Sequence, residues 1–284
     1  MSSRLSTLGD AIVSRLNFNT KRKLNGKSII VPSINSVRVG VSGEKWMSGL
    51  LTEIFRYAPA GTFYDIGINL GQTMIKVMTL DNKRKYVGFE PNPSCINYLH
   101  RLVTLNGWSN NVSIIPVGLA DADGILRLYG DGETDPESTI ISDNNTQTDR
   151  FSRYVPVFRH DALMTGIATG KVSVVKIDVE GAELEVVKSL RTLLAKDRPV
   201  IVMEVLPNRH ADHDKLSRNQ QMIELLKGLD YSFYMIIKTA TDTYAGIKKV
   251  DDIGDYSDPV MKDHVLLPME QAAIIGSFVK IMPS

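Results

Sequence analysis

Five apolar stretches with strand character recur along this chain with helical patterns set between them. They are TFYDIG (62–67), KYVGFE (85–90), VSIIPV (112–117), VSVVKID (172–178) and PVIVMEV (199–205). The intervening segments at 72–80, 94–106 and 182–195 carry apolar residues at helical spacing. A helix between two such strands returns the chain to the end of the sheet where it began, so the strands run parallel. The fold class that follows is α/β, a doubly wound and mostly parallel sheet with helices on both faces.

Outside this repeat the pattern is less regular. Leu5, Leu8, Ile12 and Leu16 recur at helical spacing, and LNGKSIIVP (24–32) and SVRVGV (36–41) read as two short strands. A helix is expected over 44–56, carried by Trp46, Leu50, Leu51, Ile54 and Phe55 and ended near Pro59–Gly61. A further helix at 215–228 leads into YSFYMIIK (231–238) and HVLLPM (264–269). The polar connection between those strands predicts an antiparallel pair at one end of the sheet. Residues 130–154 are polar, acidic and rich in turn formers, which reads as a lid-like loop expected, with the N-terminal segment, to cover the acceptor side of the crevice. The chain thus divides into a basic extension, 1–43, built of a helix plus short strands, and one domain, 44–284.

Length and composition remove several function classes. The 284 residues suffice for a sizeable core, and no stretch approaches the roughly 18 uncharged apolar residues of a membrane span. The single cysteine, Cys95, excludes an intramolecular disulfide and any multi-cysteine zinc site. Asp10 and Arg15 interrupt what would be the apolar core of a signal peptide, so a reducing cytoplasm is the expected setting. Charge is unevenly spread. Residues 1–43 hold Arg4, Arg15, Lys21, Arg22, Lys23, Lys27 and Arg38 against Asp10, a net +6 that leaves −5 for the remainder. Such a lead suits an anionic partner, a phosphorylated molecule or a membrane surface touched peripherally. No aromatic-rich basic stripe accompanies it, so no nucleic-acid partner is expected.

The chemistry concentrates at strand ends. Asp65, Gly67, Asn69 and Gly71 form a D-x-G-x-N-x-G turn between the first strand of the repeat and its helix. The glycines permit close backbone approach, and asparagine tolerates the left-handed conformation. A dinucleotide fingerprint beginning at Gly67 would need glycine at 69 and 72, where Asn69 and Gln72 stand. The turn therefore suits a nucleoside ligand without a pyrophosphate, S-adenosylmethionine being the common one. Glu90, 25 residues beyond Asp65 and at the end of the second strand, is placed to accept both ribose hydroxyls. Gly118 and Leu119, after the third strand, should add to the same pocket. Asp178 ends the fourth strand near the methionine end of such a ligand. Glu180 and Glu183 read as acids that stabilise the first turn of the next helix, and Lys176 as a structural partner of Asp178 or Glu204.

YDIGINLG, GFEPNP, VVKIDVEGAE and VIVMEVLP, in that order over about 62–207, resemble the signature run of the FkbM-type S-adenosylmethionine-dependent methyltransferases. The resemblance implies a Rossmann-like class I methyltransferase fold, a seven-stranded sheet ending in an antiparallel hairpin. It also implies O-methylation of a sugar, a polysaccharide precursor or a natural product, with a hydroxylated small molecule or saccharide as acceptor. His160 departs from the pattern, standing where leucine is common, and residues 1–60 give no match.

A hydroxyl is a poor nucleophile at neutral pH, so a positioned base is expected to take its proton. His210 and His213, in LPNRHADHDK after the fifth strand, are the candidate bases, with Glu204 as orienter or alternative and Asp178 next in line. Asp178 and Glu204 could hold a magnesium-like ion, but no ligand spacing calls for a metal. Two other classes compete: a nucleotide-binding oxidoreductase on the same fold, and a cofactor-binding module without catalysis.

Overall fold

The computed structural model describes residues 18–58, 60–132, 134–135, 138–141, 151–207, 213–253 and 258–275. The chain opens on a hairpin, β1 (Phe18–Leu24) and β2 (Lys27–Ser33), followed by helix α1 (Lys45–Tyr57). The alternating core comes next: β3 (Thr62–Ile66), α2 (Gln72–Leu80), β4 (Tyr86–Phe89), α3 (Pro93–Leu105) and β5 (Val112–Ile115). Three strands then form a small sheet of their own, β6 (Gly118–Leu119), β7 (Gly124–Gly130) and β8 (Phe151–Phe158), with β8 in the middle. A single helical turn, α4 (His160–Leu163), returns the chain to the main sheet at β9 (Val172–Ile177). Helices α5 (Glu183–Ser189) and α6 (Arg191–Asp197), strand β10 (Val200–Glu204) and helix α7 (His213–Lys227) complete the parallel part. Strands β11 (Tyr231–Lys238), β12 (Tyr244–Val250) and β13 (Asp263–Pro268) follow, with α8 (Met269–Ile275) last.

The main sheet has eight strands in the order β12-β11-β13-β10-β9-β3-β4-β5. Strands β10, β9, β3, β4 and β5 pair parallel, whereas β13, β11 and β12 pair antiparallel to their neighbours. Seven of these strands have the class I methyltransferase topology, in which the last strand inserts antiparallel beside the fifth. The eighth, β12, lies in the polar connection that showed no apolar run long enough to announce it. The antiparallel pairing of 231–238 with 263–268 holds: Tyr231 faces Pro268 and Phe233 faces Leu266.

Period-two alternation divides the sheet into two faces. Phe63, Val174, Val200 and Val202 point into one core with Trp46, Leu50, Met74, Val77, Leu99 and Leu102 from α1, α2 and α3. Tyr64, Ile66, Val175, Ile177, Ile201 and Met203 point into the other, against Leu184, Val187, Leu194, Met222 and Leu226 from α5, α6 and α7.

Two expectations need correction. The strand pair near the start is FNTKRKL with KSIIVPS, and residues 36–41 form no strand beyond the bridge at Ile34 and Val37. The tight Asn25–Gly26 turn, with both residues at positive φ, closes the hairpin and sets that register. Residues 18–43 also share the main core. Ile29, Val31 and Val39 are buried there, Tyr98 Oη bonds Val39 N and Pro32 O, and the Asn106 side chain bonds both backbone groups of Ile30. The expected helix over residues 5–16 lies outside the described residues.

The second correction concerns 130–154. Residues 151–154 belong to β8, paired with Gly130 through Arg127, and Tyr129 and Thr139 exchange backbone bonds of 2.9 Å. Alternation of Val155 and Val157 into the core extends the strand into what composition marked as loop.

Candidate functional site

Strands β3 and β9 are neighbours whose connections leave in opposite directions, and the crevice beyond their carboxyl ends is where doubly wound sheets take ligands. The turn after β3 is shaped by its backbone. Gly67, Asn69 and Gly71 have φ of 86°, 50° and 90°. A Cβ on Gly67 would lie 1.9 Å from the Asp178 carbonyl oxygen, so only glycine lets the two strand ends close up. Asn69 closes its turn with its own side chain, Oδ1 accepting from Leu70 N at 2.7 Å. Gly71 is the left-handed residue that starts α2.

Asn69 N donates to Glu90 Oε2 at 2.8 Å, and Asn92 N donates to Oε1 at 2.8 Å. The carboxylate is thus clamped by one backbone donor on each oxygen, with a second lone pair left on both. Burial pushes Glu90 up to about 7, against the pull of these two donors. It lies on a narrow cavity of about 70 Å³ with Ile66, Gly67, Asn69, Phe89, Gly118 and Leu119. Asp135, Ser138 and Ile140 close the other side, and Asn69 Nδ2 reaches Asp135 O at 3.4 Å. The described part of the 130–154 segment therefore covers the Glu90 side of the crevice and not, as expected, the acceptor side, because Asp135 packs on the Asn69 turn. An adenosyl group would have to displace that segment.

Asp65 lies elsewhere than expected. It is fully buried under the turn and does not line the cavity; the Tyr86 hydroxyl donates to its Oδ2, and Lys176 Nζ stands 3.6 Å from its Oδ1. Burial raises its pKa while Lys176 and Tyr86 oppose the rise. Lys176 in turn bonds Asp178 Oδ2 at 2.9 Å and reaches Gly67 O at 3.5 Å. Burial disfavours the Lys176 ammonium, yet Asp178, Asp65 and Glu44 together hold its pKa above the usual value. The ammonium pins the turn to both strand ends, which makes Asp65 and Lys176 positioning residues. Gly71 and Asp178 also lie off the cavity wall.

The second cluster stands at the ends of β9 and β10. Carboxylate oxygens of Asp178, Glu180 and Glu204 lie within 4.8 Å of one another. Glu180 does not sit in the first turn of a helix. It holds a left-handed φ of 53°, three residues before α5 begins, and this turns it back toward Glu204. The following Gly181, at φ 105°, is the one sequence cue to that reversal. Burial and the neighbouring Asp178 push Glu180 up to about 8 and Glu204 up to about 7. Lys262, after the sheet's last connection, bonds Glu204, so the partner of Glu204 is Lys262 and not Lys176. Glu183 is buried and accepts from Gly181 N at 2.9 Å.

The histidines fare differently. His213 is exposed at the first position of α7, and His210 lies outside the described residues. His160 is buried beside Tyr64 at the opposite end of β3, where Thr62 meets Val172. His264 is buried on β13, which lowers it to about 4. No helix of the described residues is long and apolar enough to cross a membrane.

A doubly wound sheet with this strand order, with an acidic residue clamped after the second strand of the repeat and carboxylates grouped after the fourth and fifth, has the Rossmann-like class I methyltransferase fold. A model of the methyltransferase FkbM domain matches residues 65–233, and the chain belongs to that family. It is 29% identical over 157 residues to the methyltransferase sdnD of Sordaria araneosa, an alignment covering 44% of this chain and 59% of that protein. It is also 29% identical over 139 residues to the hexuronic acid methyltransferase AglP of Haloferax volcanii, covering 49% of this chain and 54% of that protein. The chain thus spans little more than half the length of either relative. The structure of a methyltransferase FkbM from Methylobacillus flagellatus KT shares 13% identity, covering 73% of this chain and 43% of the other, at a TM-score of 0.45.

Proposed function

We propose that this methyltransferase uses S-adenosylmethionine to methylate a hydroxyl of a saccharide or related hydroxylated acceptor. The observation that carries the cofactor is the clamped Glu90. Two fixed backbone donors leave its remaining lone pairs aimed at the cavity, where a pair of ribose hydroxyls finds preorganised acceptors. Phe89, Leu119 and Leu128 supply apolar walls for a base once the segment around Ile140 has moved aside. S-adenosylmethionine supplies a methyl group already activated on a sulfonium. The chain's part is then to align the acceptor and to take its proton.

For that proton the carboxylates grouped at the ends of β9 and β10 are better supported than the exposed His213. Glu180 and Glu204, raised to about 8 and 7, have proton affinities matched to a base working near neutrality. Asp178 and Glu204 each have an ammonium partner, Lys176 and Lys262, whereas Glu180 has no hydrogen bond or ion pair among the described residues. Glu180 is therefore the proton acceptor, and its burial, with Asp178 and Glu204 beside it, raises its proton affinity. The three carboxylates are also oxygen donors that could hold a divalent ion, though each step above needs none. The hexuronic acid methyltransferase among the relatives supports a saccharide acceptor.

The test is a pair of titrations. S-adenosylmethionine should bind and nicotinamide dinucleotide should not. The reverse result assigns the crevice to an oxidoreductase.

A further inference from the structure

A second cavity, about 650 Å³ and separate from the Glu90 cavity, opens between the N-terminal hairpin and the starts of α1 and α2. Five cations line it: Arg22 and Lys23 from β1, Arg38 from the segment after β2, Lys45 from the first turn of α1, and Lys76 from α2. No aspartate or glutamate is among the lining residues that are described, and Thr20, Asn25, Ser42 and Ser48 add polar groups. The side chains of Arg22, Lys23, Arg38 and Lys45 form no salt bridge among the described residues, whereas Lys76 is buried against Glu44 at 3.3 Å. At the start of α1 the Lys45 backbone N–H already donates to Asp242 Oδ2 at 3.0 Å, so the side-chain cations, not the helix end, are what this cavity offers an anion.

The cavity adjoins the reaction site. Gly43 packs on Gln72, the first residue after the Gly67–Gly71 turn. Glu44, on the rim, acts electrostatically on Lys76, on Lys176 behind the turn and on Asp263 beside Glu204. Glu44 thus lies close enough to influence both this cavity and the strand ends that carry Lys176 and Glu204.

Resting on the methyltransferase reading above, we propose that this cavity holds a diphosphate carried by the acceptor, so that the substrate class is a diphosphate-linked saccharide. A single carboxylate needs one bidentate arginine, whereas cations from four separate segments around a space of this size match a polyanion several bonds long. A nucleoside diphosphate sugar and a lipid diphosphate sugar share that chemistry.

The test uses the full chain with inorganic pyrophosphate as probe, followed by calorimetry at low salt. Saturable binding that weakens with salt is expected. The Arg22→Ala/Lys45→Ala protein should bind pyrophosphate at least tenfold more weakly while S-adenosylmethionine affinity stays unchanged, which also shows that it is folded. Both sugar types should then be methylated at least tenfold more efficiently than the free saccharide by the native protein, or one of them alone, which names the carrier. Absent pyrophosphate binding, binding unchanged in the variant, or attachment to anionic vesicles that pyrophosphate does not compete with would each overturn the proposal. Loss of S-adenosylmethionine binding by the native protein would instead sink the methyltransferase reading.

Discussion

Cofactor affinity should depend on pH through Glu90, and the dependence can be worked out from the clamp. The free carboxyl has a pKa of about 7 because burial outweighs its two backbone donors. Ribose hydroxyls donate to the ionised form, so binding favours it and lowers the pKa in the complex. Affinity then scales with the ionised fraction in the free protein. At pH 6 that is about one carboxyl in eleven and at pH 8 about ten in eleven, so affinity should rise about tenfold, worth about 1.4 kcal/mol. The sign follows from proton release: an acid whose pKa falls on binding gives up a proton, and binding strengthens as protons are removed. Calorimetric titration of S-adenosylmethionine at pH 6, 7 and 8, in buffers of differing ionisation enthalpy, measures both the affinity and the proton. Glu90→Gln removes the titration and should bind weakly with a flat profile. Its amide also presents a donor to one of the backbone N–H groups, which adds about 1–3 kcal/mol of mismatch. A native profile that is flat between pH 6 and 8, or a slope retained in Glu90→Gln, would refute the ribose assignment.

Glu180→Gln should lower turnover about 10²-fold with S-adenosylmethionine affinity nearly unchanged, and His213→Ala should lower it no more than a few-fold, both read by steady-state kinetics. Gly67→Ala should destabilise the fold by at least about 2 kcal/mol in urea unfolding, since it combines a left-handed φ with a Cβ 1.9 Å from the Asp178 carbonyl. An alanine variant of native stability would contradict that contact. Tyr86→Phe removes the hydroxyl that donates to the buried Asp65 and should cost about 1–3 kcal/mol in the same assay.

The sequence carried the parallel core because β-strands buried on both faces announce themselves by their apolar runs, and the glycines of the first turn by their conformational demand. Gly67, Asn69, Glu90, Gly118 and Leu119 could be placed together since all stand at strand ends that one topology brings to one edge. Three features were not legible. Strand β12 is polar and, as the sheet's edge strand, pairs only with β11, so no hydrophobic run marks it. Asp65 sits one residue deeper than the cavity, and spacing along β3 cannot tell a carboxylate facing a ligand from one facing Tyr86 and Lys176 across the sheet. Glu180 was masked by its place before a helix, where acids usually stabilise the first turn; its positive φ, which reverses it toward Glu204, is a backbone property that the residue's identity does not reveal. The cationic cavity, by contrast, was foreshadowed by the +6 lead segment, though its Lys76 wall comes from α2.

The most direct test of the central claim follows a labelled methyl group from S-adenosylmethionine across a panel of saccharide acceptors, from pH 6 to 9, for the native protein and Glu180→Gln. The account predicts acceptor-dependent release of S-adenosylhomocysteine, label on an acceptor oxygen, a rate that rises with pH through about 8 as Glu180 loses its proton, and loss of that rise in the variant. Label on nitrogen or carbon, or a native pH profile reproduced by Glu180→Gln, would contradict it.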